Sequence, residues 1–165
     1  MRDRFQQAAE AAGTTVKQFF SLIDARAYLV SLAAGGGVTS SILPEDIRTC
    51  LDGLISDDFN PADTSLCISN SSAGIAATGS VLIDLRMTDD RAATALAPIH
   101  AVFLDPARIV ETLADLEPIL LSHLQRPPAY LSLTTGPSRT ADIERVLTIG
   151  VHGPKELHIL LMEGV

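Results

Sequence analysis

Tryptophan is absent from this 165-residue chain, and the aromatic ring count is low: five Phe and two Tyr. Apolar residues still make up 47%. The core must therefore be aliphatic, and a disordered chain is excluded. Basic residues are scarce as well, with 12 Lys and Arg against 20 Asp and Glu, a net charge of −8. No basic stripe appears, so a nucleic-acid-binding surface is excluded, because phosphate contacts need clustered cations. There are two cysteines, Cys50 and Cys67, and no CxxC. That excludes a cysteine-bound iron–sulfur cluster or zinc ribbon. Both lie in apolar-patterned segments and read as free thiols of a reducing cytoplasm, although spacing alone leaves a disulfide open. No apolar run approaches the ~20 residues of a membrane span. The amino-terminal stretch Met1 to Gln7 is charged and amphipathic rather than a signal peptide, so a cytoplasmic protein is expected. The GxxxxGK[ST], GxGxxG and GxSxG loops are also missing, which removes support for a Walker loop, a dinucleotide fingerprint or a nucleophile elbow.

What is present is alternation. Phe5, Ala8, Ala9 and Ala12 share one helical face, and Gly13 is placed as a stop. A strand is expected over 14–20. Ser21 caps a second helix whose stripe is Leu22, Ala25, Leu29, Leu32 and Ala33, ended by Gly35-Gly36-Gly37. A short strand over 40–43 leads through Pro44 to a helix carrying Ile47, Cys50, Leu51, Leu54 and Ile55. A loop is expected over 57–61, a strand over 65–69, a polar turn over 70–74, and a hairpin of strands 75–77 and 80–85. A helix over 88–97, a strand over 99–104 and a helical stripe of Ile109, Leu113, Leu116 and Leu120 follow. Pro118 kinks or restarts that helix, and Arg126-Pro127-Pro128 ends it. A strand over 130–133, a helical or mixed run over 143–149 and a strand over 156–162 complete the reading. The fold class is α/β: a mostly parallel open sheet flanked by helices, in one domain over 1–165, with an antiparallel element near 75–85.

The densest polar motif is the turn after the strand at 130–133. Gly136 allows close backbone approach to a ligand, Arg139 could clamp an anion in two-pronged fashion, and Ser138 and Thr140 offer hydroxyls. Asp142 and Glu144 could orient hydroxyls or a cation. The following helix N-terminus would attract anions. The same residues also read as a capped turn answering a helix dipole. A second candidate is the small polar stretch 71–80, with Thr78, Gly79 and Ser80 placed to line a cleft against the first. His152, in a turn with Gly153, is the best-placed acid–base histidine. His100 and His158 read as buried and hydrogen-bonded, and His123 as exposed at a helix end. His152, Glu156 and His158 match no recognised zinc spacing, so no metal is expected.

Two stretches together carry a family likeness. GIAATGS at 74–80 and TGPSRTADIERVLTIGVHGPKELHILL at 135–161 resemble the lactate-utilization (LUD) domain family, and ALAPIHAVFLDPARIVETL at 95–113 fits the same family. The resemblance implies a fold of the kind shared by CoA transferases, ribose-5-phosphate isomerase and glucosamine-6-phosphate deaminase. It implies a part in oxidation of L-lactate to pyruvate beside iron–sulfur subunits, as the subunit with no cluster of its own. A small anionic or nucleotide-like ligand is the expected partner, with no cofactor assigned and oligomeric state open. Two other readings stand beside it: a stand-alone enzyme on that scaffold, and a non-catalytic assembly partner. Family members commonly read GIAETGS; here Ala77 stands where the Glu would be. The chain also reads as lacking an N-terminal helical extension carried by longer members.

Overall fold

The computed structural model describes residues 1–56, 60, 62–125, 130–141, 147–149 and 153–165. Residues 57–59 and 61 of the expected loop, the stop at 126–128 and the first part of the helix expected over 143–149 lie outside the described residues.

Helix α1 (Arg2–Ala11) buries Phe5 and Ala9. Strand β1 (Thr15–Gln18) leads to α2 (Leu22–Ala33), where the Ser21 hydroxyl accepts from the Asp24 amide at 3.2 Å. Strand β2 (Gly37–Ser40) begins at the triple glycine, earlier than the 40–43 expected. The reason is a close approach: a Cβ at Gly37 would lie 2.9 Å from the Asp63 carbonyl oxygen. Helix α3 (Glu45–Cys50) is a turn and a half, although Leu51, Leu54 and Ile55 still pack where the periodicity placed them.

Strand β3 (Thr64–Ile75) is twelve residues long and absorbs the polar turn expected over 70–74. It forms a hairpin with β4 (Ser80–Asp84), as expected. Helix α4 (Thr88–Leu96) and strand β5 (Ile99–Leu104) follow. The helical stripe expected from Ile109 is broken up. A single 3-10 turn at Pro106–Arg108, capped by Asp105, gives way to β6 (Ile109–Val110), which pairs with the end of β3. A second 3-10 turn at Ala114–Leu116 precedes α5 (Glu117–Leu124). Pro118 sits in the first turn of α5 and starts that helix rather than kinking a longer one, because a missing N–H costs nothing there. Strand β7 (Leu131–Thr134) is followed by β8 (Arg139–Ala141) and β9 (Leu147–Ile149), which pair antiparallel as a separate ribbon. Of the run expected to be helical or mixed, residues 147–149 are therefore strand. A short apolar run reads equally well in either period, and here strand pairing decided it. Strand β10 (Glu156–Leu161) closes the chain.

The main sheet runs β1-β10-β5-β3-β4-β7, with β2 and β6 also on β3. The pairs β1–β10, β10–β5, β5–β3, β2–β3 and β6–β3 are parallel; β4 and β7 add antiparallel pairs. Side chains alternate across it. Val102 and Leu104 of β5 pack with Phe5 and Ala9 of α1, while Ala101 and Phe103 pack with Leu29 of α2 and Ile47 of α3. Leu82 of β4 shares that second side with Ile119 and Leu120 of α5. The sheet is thus covered on both faces, with an aliphatic core as the composition required.

Candidate functional site

The two glycine-containing motifs do meet, and helix α1 lies against both. Gly79 has φ +67°, and a Cβ there would fall on the backbone nitrogen of Ala9. Gly136 has φ +68°, and its Cβ would lie 2.5 Å from the Ala12 carbonyl oxygen. Ser80 links the motifs: its hydroxyl is 2.6 Å from that of Thr78 and 2.5 Å from that of Thr135. Arg139 donates from Nη2 to the Ala12 carbonyl at 2.8 Å, satisfying an orphan acceptor at the end of α1. Ser138 leads directly into β8, which begins at Arg139; its amide donates to the Pro154 carbonyl at 2.9 Å, and Gly153 (φ +123°) packs against its side chain. The turn itself joins strand β7 to strand β8, and the start of the helix expected from Ile143 lies outside the described residues. Thr140 lies on β8 opposite Thr148. Asp142, Glu144 and His152 lie outside the described residues. Ala77 is exposed at the hairpin end, its amide donating to the Glu111 carbonyl at 3.0 Å.

A cleft of about 370 Å³ opens elsewhere, where β3 changes partners. Up to Asn70, β3 pairs with β5; from Ser71 onward it pairs with β4, with a register shift between Ser71 and Ala73. Strand β2 has already ended at Ser40, opposite Ile68. The polar residues Asn70, Ser71 and Ser72 therefore line a gap between departing strands, with Ile42 and Pro44 on its rim. Open α/β sheets hold ligands at such switch points, beyond the carboxyl ends of parallel strands.

Four charged or titratable groups complete the cleft. Asp84, the last residue of β4, accepts from Arg86 (Nε at 3.0 Å and Nη2). His123 of α5 places Nδ1 3.2 Å from the same Asp84 oxygen. Burial raises the Asp84 pKa, but the Arg86 hydrogen bonds and charge outweigh it, with His123 adding to them, so the carboxyl sits below its usual range. An ionised carboxylate only accepts, so the His123 Nδ1 donates to it. The Arg86 backbone is held in turn by Arg91, which donates to the Leu85 and Arg86 carbonyls and lies 4.8 Å over the Tyr130 ring. Arg108 is exposed, and its guanidinium has no hydrogen bond or ion pair among the described residues.

Two of the lining residues each carry an acceptor that is unmatched among the described residues. The Asp84 Oδ1 and Asn70 Oδ1 are buried with no hydrogen-bond partner. Each such atom costs about 1–3 kcal/mol if left so. Sequence reasoning placed none of Asn70, Asp84, Arg86 and Arg108 in a site, and it read His123 as exposed, whereas its side chain is 19% exposed. A usable signal was present: Asn70-Ser71-Ser72 is a polar run inside an apolar strand pattern, which a buried strand carries only where it faces something polar.

Two further histidines are structural, as expected. His100 bonds Ser69 at 2.8 Å, and burial pulls its pKa down to about 4. His158 bonds Tyr28 at 2.9 Å and Glu156 at 3.1 Å. Cys50 and Cys67 are free thiols. Among the described residues no group of His, Cys, Asp and Glu is arranged to hold a metal ion, and no helix is long and apolar enough to cross a membrane.

A mostly parallel sheet covered on both faces, with a polar cleft at a strand switch, defines an α/β protein of the open-sheet kind. Its particular place is set by the sequence pattern of the LUD domain, which matches residues 53–162; the chain belongs to that family. It is 33% identical over 98 residues to Lactate utilization protein C of Deinococcus radiodurans, covering 58% of this chain and 45% of the relative. It is 26% identical over 148 residues to Lactate utilization protein C of Geobacillus kaustophilus, covering 74% and 61%. An uncharacterized protein of Neisseria meningitidis serogroup B is 27% identical over 124 residues, covering 73% and 51%. The chain thus spans between 45% and 61% of these curated relatives. A crystal structure of a DUF162 family protein from Deinococcus radiodurans shares the fold, with a TM-score of 0.70 at 18% identity over 98% of this chain and 95% of that one.

Proposed function

We propose that this chain acts in lactate utilization as a cytoplasmic LUD domain without a cluster of its own, and that its polar cleft binds a small anionic ligand. Family membership and likeness to two proteins named Lactate utilization protein C support the pathway. The observation that carries the ligand reading is the free Arg108 guanidinium beside Ser72 and the Asp84–Arg86–His123 cluster in one cleft. With Asp84 neutralised by Arg86, the described side chains leave a net positive charge from Arg108, which favours an anion. In this reading Thr78, Gly79, Ser80, Gly136 and Arg139 serve the site indirectly, by docking α1. Iron–sulfur subunits are the proposed partners, and oxidation of L-lactate to pyruvate is the proposed process. Deleting the gene should abolish or severely slow growth on L-lactate as sole carbon source while growth on pyruvate continues, with rescue by the intact gene. Normal growth on L-lactate would overturn the reading.

The Asp84–His123 pair favours a second reading, a stand-alone enzyme on a CoA transferase or sugar-phosphate isomerase-like scaffold, because a carboxylate-oriented imidazole is an acid–base device. Thermal stabilisation by CoA or sugar phosphates, with none by lactate or pyruvate, would select it.

A further inference from the structure

The two edges of the main sheet are built differently. Its order ends in β1 on one side and β7 on the other, and among the described residues no strand lies against the outer edge of either. Strand β1 carries the exposed Lys17, a charge of the kind that keeps an edge from pairing. Strand β7, Leu-Ser-Leu-Thr, carries none. The direction of its backbone groups follows from its inner partner. Leu85 donates to the Tyr130 carbonyl at 2.8 Å, and the register continues with Asp84 opposite Leu131, Ile83 opposite Ser132 and Leu82 opposite Leu133. Antiparallel residues alternate between bonded and non-bonded pairs, so Ser132 bonds inward while the amides and carbonyls of Leu131 and Leu133 point outward. The apolar surface beside this edge is also uncovered. Leu133 shares a sheet face with Leu131, which packs against α5, yet it is 45% exposed. On α5 itself Ile119 and Leu120 pack inward, whereas Leu121 and Leu124 are 51% and 63% exposed. A helix apolar around most of its girth is one covered from more than one side.

We propose that β7 and α5 form a homodimer seam, at which a second copy of this chain continues the sheet across a two-fold axis. An antiparallel edge is its own complement, as the two-fold requires. With the axis at Ser132, Leu131 of each copy stands opposite Leu133 of the other, and every outward amide and carbonyl of the two residues finds its partner. The leucines of both strands then line one face of the joint, with Leu121 and Leu124 of each α5 as the apolar surface beside it. Charge selects the same place. The chain carries a net charge of −8, so two copies repel over most of their surfaces, whereas residues 118–124 and 130–136 contain no Asp, Glu, Lys or Arg. A copy can meet its own seam there without opposing like charges. Asp84 stands opposite Leu131 on the adjacent strand, so the joined sheet holds one ligand cleft on either side of the seam. The proposal is independent of what that cleft binds.

Light scattering after size exclusion should give the purified chain twice its monomer mass at high loading, falling toward the monomer mass on dilution. Leu133→Lys sets like charges diagonally across the axis, and each dimer carries the change twice, so association should weaken by roughly tenfold or more. Leu133→Pro removes only an outward N–H, which an edge strand tolerates, and should weaken association to a similar degree. Thr15→Lys, at an exposed position on the opposite edge β1, should leave the mass unchanged. Thermal melts check that the variants fold. Hydrogen exchange on the native chain needs no variant: the Leu131 and Leu133 amides should gain protection as concentration rises, while those of β1 stay as they were. A chain that is monomeric at every loading overturns the proposal, and so does a seam that needs a strand from another protein. Dimerisation that survives Leu133→Lys, that Thr15→Lys disrupts, or that leaves the Leu131 and Leu133 amides unprotected overturns it equally.

Discussion

His100 shows how a single buried group makes stability depend on pH. It sits on β5 at 2% exposure, bonded to Ser69, and burial lowers its pKa from 6.5 to about 4. The folded chain keeps the ring neutral, whereas the unfolded chain protonates it near pH 6.5. Between about pH 6.5 and 4 the unfolded state therefore binds more protons, and stability falls as pH falls. The contribution is intact above 6.5 and is reduced by roughly 3 kcal/mol once the pH drops below 4. Denaturant midpoints from pH 7 to 4.5 should decline more steeply for the native chain than for His100→Gln. Parallel slopes would refute the assignment. Asp84 acts in the same direction but lower, since its folded pKa lies below the usual carboxylate range. The cleft thus keeps its carboxylate charged through the window in which His100 titrates.

Among the elements, α1 depends most on a glycine. The β3–β4 hairpin tip must approach the α1 backbone at Ala8 and Ala9, and only Gly79 at φ +67° permits it. Gly79→Ala combines a left-handed backbone with a Cβ placed on main-chain atoms that cannot swing aside, a cost of about 3 kcal/mol or more. The expected outcome is local. Hydrogen exchange should show α1 amides losing protection while those of β5 and β10 keep theirs, because these two strands pair with each other and not with α1. Unchanged α1 protection would refute the docking role. The same element shows what the glycines of the polar motifs pack against. Thr-Gly-Ser and Thr-Gly-Pro-Ser-Arg look alike whether their glycines admit a ligand or a helix backbone. Here Gly79 and Gly136 abut Ala9 and Ala12, and Arg139 closes the helix end. The helix expected at Ile109 was likewise a legible stripe with the wrong occupant. Its apolar spacing was real, but Ile109 and Val110 pair with β3 instead of opening a helix.

At the scale of the whole molecule, both thiols report on the packed core. Cys67 is fully buried against Ala93 and Ala97, and burial pushes its pKa up to about 12. Cys50, at the end of α3, is partly exposed. A thiol reagent at pH 8 should label Cys50 in the native state and reach Cys67 only at the rate of global unfolding. Equal rates at both would contradict the fold. Much of that fold was legible beforehand. The scarcity of aromatics required an aliphatic core, the alternation of elements required a covered parallel sheet, Ser21 and Asp24 announced α2, and the motifs at 74–80 and 135–161 pointed to the LUD family. These are local properties of composition, spacing and capping, and local properties survive in a linear string. What only the tertiary structure decided is where the cleft opens and what fills the gap between the motifs. Asn70, Asp84, Arg108 and His123 converge because β3 exchanges β5 for β4 midway along its length. That exchange is a pairing between distant segments, set by the register of the whole sheet, and no periodicity within one segment encodes it.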